Sequence, residues 1–276
     1  MSRSGTDLVE LQEHCEMLSF TLSGLWRHDP VTYVKDGETL EFNDAAEWLN
    51  LASGVKKVEV VTGGEDVFYC ESVMEYEDAR SELLSRLATQ LTIFQFTWGA
   101  FETAATVIGP PSIPANLRSN GANGLVHRVL FFLRAARPVA TYPDVLEEMR
   151  RLVARQPNYR RLLRSGALPR HMGPSGVGLD FVRKVRNRFA HGSARFPMPD
   201  DCSVGWSGRT SPEPEIIALS SRIVLLSIQM LLRIHYGGKH FELDILRDED
   251  GRRVGADVHH VLQRLHLSRK APSDEG

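Results

Sequence analysis

From Glu77 onward the apolar positions fall into a helical rhythm. Leu83, Leu87, Leu91, Phe94, Trp98, Phe101, Ala105 and Ile108 recur at spacings of three and four. That period marks one buried face of an α-helix, and Gly109-Pro110-Pro111 predicts its end. Further helices are predicted over Leu125–Arg137, from Pro143 through DVLEEMRRLVAR, through LDFVRKVRNRFAH to Gly192, and from about Glu213 to Tyr236. Before Glu77 the pattern is mixed. VTYV and TLEF flank Lys35-Asp36-Gly37-Glu38, a hairpin signal, and Asn43 opens a short helix that Gly54 ends. VKKVEVV and VFYCESV flank Gly63-Gly64 and read as a second strand pair. After Tyr236, HFELDIL and a DEDG turn predict a hairpin, and ADVHHVLQRLHL a terminal helix.

The expected fold is therefore mainly α. It comprises a small α+β lead-in over residues 1–77, a helical bundle over 78–237, and a C-terminal hairpin and helix extension over 238–276. The Gly/Pro-rich stretch SGALPRHMGPSGVG reads as an ordinary flexible loop.

Composition narrows the class. With 276 residues, 42% hydrophobic and 25% charged, the chain suits a globular protein with its own core. The apolar stretch Ile216–Tyr236 is interrupted by Arg222 and Arg233, so no membrane span is expected. The N-terminal residues lack a basic region followed by an apolar run, so no signal peptide is expected. Cys15, Cys70 and Cys202 form no CxxC pair. That points to a cytoplasmic location, without a disulfide framework, a structural metal or a cofactor.

The net charge of -2 hides a strong asymmetry. Residues 1–117 hold seven Lys+Arg and nineteen Asp+Glu, whereas residues 118–195 hold sixteen and four. Fifteen of those sixteen cations are arginines. A segment this basic suits a phosphate-binding surface, and it equally suits neutralisation of the acidic N-terminal third.

Chemistry concentrates in Val185-Arg186-Asn187-Arg188-Phe189-Ala190-His191-Gly192. On an ideal helix Leu179, Val182, Val185 and Phe189 share the buried face, and His191 lies on the opposite side. Asn187 precedes His191 by one turn and can orient its ring. Arg186 lies at the edge of the buried stripe, roughly 140° from His191. A histidine among fixed cations suits acid–base work on a phosphodiester.

Arg186, Asn187 and His191 resemble the R-N-x-x-x-H signature of HEPN-domain ribonucleases, the higher eukaryotes and prokaryotes nucleotide-binding superfamily. The looser spacing of Arg and His recurs elsewhere, as at Arg164/His171, but RNxxxH occurs once. Random placement would give about 0.025 occurrences. The resemblance covers roughly residues 78–237. It implies a metal-independent endoribonuclease, a toxin or anti-phage defence effector, in which the RNA 2′-OH attacks the neighbouring phosphorus. It further implies that His191 moves protons, that Arg186 stabilises the transition-state charge, and that Asn187 holds His191 or the phosphate. A homodimer is implied, with the motif of each copy facing one cleft, and an antitoxin or regulatory partner fits the class. The family's tyrosine two residues after the histidine is replaced here by Ser193, which departs from toxins paired with a nucleotidyltransferase antitoxin. Glu102 is either the family's supporting acid or a surface carboxylate. Arg183, Arg188 and Arg195 are expected RNA contacts. The alternative function is a non-catalytic module that binds RNA, a nucleotide or a protein.

Overall fold

The computed structural model describes residues 8–35, 37–62, 71–118, 124–163, 168–202, 205–207, 211–247 and 253–268. Two long helices form its axis. Helix α3 runs Glu71–Ile108 and α8 runs Glu213–His235, and they pack against each other. The periodic stripe accounts for α3: Leu83, Leu87, Phe94, Trp98, Phe101 and Ala105 are buried. Its end is set by Gly109, which adopts φ 63 and donates its N–H to the Ala105 carbonyl at 3.1 Å. Helix α8 is buried nearly all round. By length and composition it could cross a membrane, but 83% of its apolar window is buried inside the protein, where it serves as the central core helix.

The N-terminal region adds α1, Leu11–His28, and α2, Phe42–Gly54, joined through the hairpin β1 (Thr32–Lys35) and β2 (Glu38–Glu41). The hairpin and α2 match expectation, although α2 opens at Phe42. There the Glu41 N–H donates to the Asp44 carboxylate at 2.7 Å in a capping box. Helix α1 packs on α2, and α2 on α3. One continuous core cluster draws on α1, α2, α3 and α8 as well as the C-terminal helix.

Among the described residues the second expected strand pair does not appear. Residues 71–73 of its second half are the start of α3, and residues 63–70 lie outside the described residues. Residues 55–62 are extended, but they dock on a helix. The N–H groups of Val58, Val60 and Thr62 donate to the hydroxyls of Thr89, Ser85 and Ser81 at 2.8–2.9 Å. Two extended residues advance about 6.6 Å and four helical residues about 6.0 Å, so alternate amides stay in register with a row of hydroxyls one turn apart.

The remaining helices are α4 (Leu125–Phe132), α5 (Tyr142–Ala154), α6 (Pro157–Arg160) and α7 (Val177–Ala190). Helix α4 is shorter than its sequence pattern, because a 3₁₀ turn over Leu133–Ala135 follows it. Helices α5 and α7 pack on α8. Short strands β3 (Asp200–Cys202) and β4 (Gly205–Ser207) pair in an antiparallel ladder. After α8 come the expected hairpin, β5 (Glu242–Arg247) and β6 (Arg253–Asp257), and the helix α9 (Val258–Arg264). The expected DEDG turn lies outside the described residues.

The Gly/Pro-rich loop before α7 is tightly packed in its second half. A Cβ on Gly173 would stand 2.8 Å from the Arg134 carbonyl oxygen, and one on Gly178 would stand 2.8 Å from the Tyr142 hydroxyl. The Tyr142 hydroxyl donates to the Ser175 carbonyl at 2.7 Å and accepts the Gly178 N–H at 3.1 Å. Glycine serves close approach here, not mobility.

Candidate active site at the end of α7

Helix α7 is anchored by its apolar stripe. Leu179, Phe181, Val182 and Val185 are buried, and Phe189 is half-buried. Its first turn carries a buried carboxylate, Asp180. Burial opposes ionisation of Asp180, but Lys184 at 2.8 Å and Arg183 at 3.0 Å prevail and hold its carboxyl below the usual value.

The other end of α7 closes in a Schellman motif. Gly192 takes φ 63 and its N–H reaches the Phe189 carbonyl at 3.1 Å. The Ser193 N–H reaches the Arg188 carbonyl at 2.9 Å. This places His191 at the C-cap, with its backbone N–H on the Asn187 carbonyl at 3.0 Å. Its imidazole is exposed. The expected side-chain bond from Asn187 to His191 is not made, and among the described residues the Asn187 amide has no hydrogen bond. The main chain alone links the two residues.

Arg186 is on the other side of α7. Its guanidinium carbon lies 6.0 Å from the ring centroid of the buried Trp98 on α3, a cation–π contact. Glu102 follows Trp98 by one turn on α3 and is half-buried. It forms no ion pair with Arg186 among the described residues. The fold thus brings Arg186 to the α3 face that carries Glu102, while the helix period turns His191 roughly 140° away from Arg186.

The three expected RNA contacts differ in their surroundings. Arg183 is bound to Asp180. Arg188 donates to the Asn158 carbonyl at 2.5 Å and lies 5.6 Å from the Tyr159 ring centroid. Burial first, then the charge of Glu213, push the Tyr159 hydroxyl up to about 12 against the opposing charge of Arg188. Arg195 is exposed and has no acceptor among the described residues. Three further exposed arginines lie on or beside the turn that Arg188 and Lys184 bond, namely Arg155, Arg160 and Arg161. Arg160 and Arg161 belong to the run PNYRRLL, which sets two arginines after a buried tyrosine and carries no acid.

Elsewhere a cleft of about 730 Å³ lies between residues 56–61, α3 and the start of α8. Its cations, Lys56, Lys57 and Arg86, are matched by Glu59, Glu82 and Glu215, and Arg86 bonds Glu215 at 2.5 Å. Its charge favours no ligand class. Among the described residues no group of three or more His, Cys, Asp or Glu side chains is placed to hold a metal ion.

No protein-family model, curated protein or solved structure matches this chain.

Proposed function

We propose that the protein is an endoribonuclease of the HEPN type, working without a metal as a cytoplasmic toxin or anti-phage defence effector. The observation that carries this reading is the exposed His191, fixed at the capped end of α7 one turn from Asn187 within the basic segment. In the reaction the RNA 2′-oxygen bonds to the adjacent phosphorus and the bond from phosphorus to the 5′-oxygen breaks. The 2′-OH proton leaves to a base, and the departing 5′-oxygen gains a proton. The products are a 2′,3′-cyclic phosphate and a 5′-hydroxyl. His191 carries these protons. Arg186 offsets the extra negative charge of the transition state.

The two side chains diverge by about 140° on one helix, so a complete site needs Arg186 and His191 from different copies. The working form is therefore a homodimer, open to control by an antitoxin or another regulatory protein. Glu102, one turn after Trp98 on α3, is the acid available to support Arg186, although the two form no ion pair among the described residues. Two observations favour a second reading, a non-catalytic RNA- or nucleotide-binding module: Asn187 does not hold the His191 ring, and Arg186 rests on Trp98.

Cleavage of single-stranded RNA by the purified protein in EDTA decides between them. Products ending in a 2′,3′-cyclic phosphate, lost in His191→Ala, are expected. Equal cutting of DNA, or wild-type cutting by His191→Ala, would overturn the ribonuclease reading.

A further inference from the structure

The turn that follows α5 is fastened to α7 at two points. Arg188 donates to the Asn158 carbonyl at 2.5 Å, and Lys184 donates to the Leu162 carbonyl at 3.0 Å. Buried Tyr159 lies beneath the Arg188 guanidinium and anchors the turn from below. Since Asn158 meets residue 188 and Leu162 meets residue 184, the turn runs antiparallel to α7. Its beginning, after Arg155, is at the His191 end.

The helix period places His191 on this same side. Taking Asn187 as zero, Lys184 lies at about 60°, Arg188 at about 100° and His191 at about 40°, whereas Arg186 lies at about −100°. His191 stands only about 4.5 Å further along the axis than Arg188. The exposed side chains of the turn are Arg155, Arg160 and Arg161, and none of them has an ion-pair or hydrogen-bond partner among the described residues. The neighbouring charges do not cancel them. Asp180 is taken up by Lys184 and Arg183, and Glu147 and Glu148 are taken up by Arg150 and Arg151. Glu213 faces Tyr159 from the start of α8.

We propose that Arg155, Arg160 and Arg161 form a phosphate track that carries single-stranded RNA along α7 to His191. Three unpaired guanidiniums on a rigidly fastened turn supply forked donors that match phosphate oxygens. Arg188 and Lys184 are then the fasteners of the track, not its contacts. This inference rests on the reading of His191 as the cleavage site. An acidic polypeptide is the competing occupant, but the three exposed cations of the turn are all arginine, whose forked donors favour phosphate.

The test measures binding of a labelled single-stranded RNA of about 12 nucleotides to full-length His191→Ala protein between about 50 and 300 mM KCl. Adding Arg155→Ala, Arg160→Ala and Arg161→Ala should weaken binding at least tenfold. It should also flatten the salt slope by about 2, since each single-strand phosphate contact contributes about 0.7. The lysine triple variant should keep the slope while losing part of the affinity. Single charge reversals, such as Arg160→Glu, should each weaken binding, which covers any folding defect in the triple. An unchanged slope and affinity in the alanine triple would overturn the track and leave cleavage by His191 standing. Undiminished cleavage by His191→Ala, with a reduced slope in the triple, would instead overturn the cleavage site. Polyglutamate binding as tightly as RNA at equal salt would overturn the assignment to phosphate.

Discussion

Beneath α1 and α9, His14, Arg222, Gln229 and His266 are at least nine-tenths buried, whereas at the end of α7 His191 and Arg195 stand exposed. Each cluster holds histidine, arginine and a side-chain amide. In the core, every member has a partner. Arg222 donates to the Val9 carbonyl at 2.7 Å and to His14 Nδ1 at 3.0 Å. Arginine has no acceptor, so His14 Nδ1 must be unprotonated and Nε2–H must donate to Gln229 Oε1 at 2.8 Å. Gln229 Nε2 then donates to the Leu262 carbonyl at 2.8 Å and to His266 Nδ1 at 3.1 Å. His266 Nε2–H donates to the Ala140 carbonyl at 2.8 Å. One donor–acceptor pattern satisfies the chain of bonds, with both histidines neutral. It ties α1, α8, the C-terminal helix and the approach to α5 together. At the end of α7, by contrast, Asn187, His191 and Arg195 have side-chain donors without acceptors among the described residues. The satisfied cluster holds the fold, and the unsatisfied one is available to a ligand.

The contrast is tested most severely by exchanging roles. Removing His191 or Arg186 should cut cleavage by about 10²–10⁴ while leaving the melting curve of the His191→Ala protein within about 0.5 kcal/mol of wild type. A large loss of stability in His191→Ala would show that the exposed cluster is structural after all.

Gln229→Ala should do the reverse. It strands His14, His266 and the Leu262 carbonyl in the core and should cost about 3 kcal/mol or more in urea unfolding. RNA cleavage by the fraction that remains folded should be unaffected. A cost below about 1 kcal/mol would mean that the network is not needed.

Acid separates the clusters in a third way. Burial, only partly offset by the Ala140 carbonyl and reinforced by the charge of Arg222, lowers the His266 pKa to about 4. Burial and then Arg222 also hold His14 well below its ordinary value. Both are depressed relative to the unfolded chain, so the unfolded state binds protons first. Stability from these groups is complete above about pH 6.5 and falls as pH drops toward about 4. His266 alone accounts for about 3 kcal/mol of that loss. Urea midpoints measured at pH 7 and pH 4.5 check this, and equal midpoints would contradict it. The lowered Asp180 carboxyl acts only at more acid pH, below the ordinary carboxylate range.

The smallest effect is expected from Gly192→Ala. A side chain at φ 63 should cost about 1 kcal/mol and loosen the Schellman cap that positions His191. Thermal melts and cleavage rates should fall together, modestly. A rate loss as large as that of His191→Ala would be inconsistent with a purely positional role for the cap.

Where apolar periodicity was strong the chain was legible: α3, α5, α8 and the β5–β6 hairpin follow their patterns. Helix α1 was not legible, because its buried face carries His14, Ser19 and Thr21 among the apolar residues. Their partners are remote, as with His14 on Gln229 and Ser19 on the Ala46 carbonyl at 2.7 Å. A polar residue satisfied across the fold looks, in sequence, like an exposed one. Residues 55–62 alternate like a strand, but their amides bond a row of helix hydroxyls and no strand forms there. Of the candidate site, spacing alone singles out Arg186, Asn187 and His191, whereas the proposal for Arg155, Arg160 and Arg161 depends on where the α6 turn docks on α7.

Within one helix, covalent geometry fixes the angle between residues. The divergence of Arg186 from His191, the apolar stripe of α7 and its glycine stop were therefore determined by the sequence alone. What covers each angle is decided by segments far away in the chain. Trp98 on α3 receives Arg186, the α6 turn flanks the His191 side, and Gln229 selects the tautomers of two distant histidines. Only the tertiary structure decided these, because packing and hydrogen-bond partners depend on contacts that local periodicity does not encode.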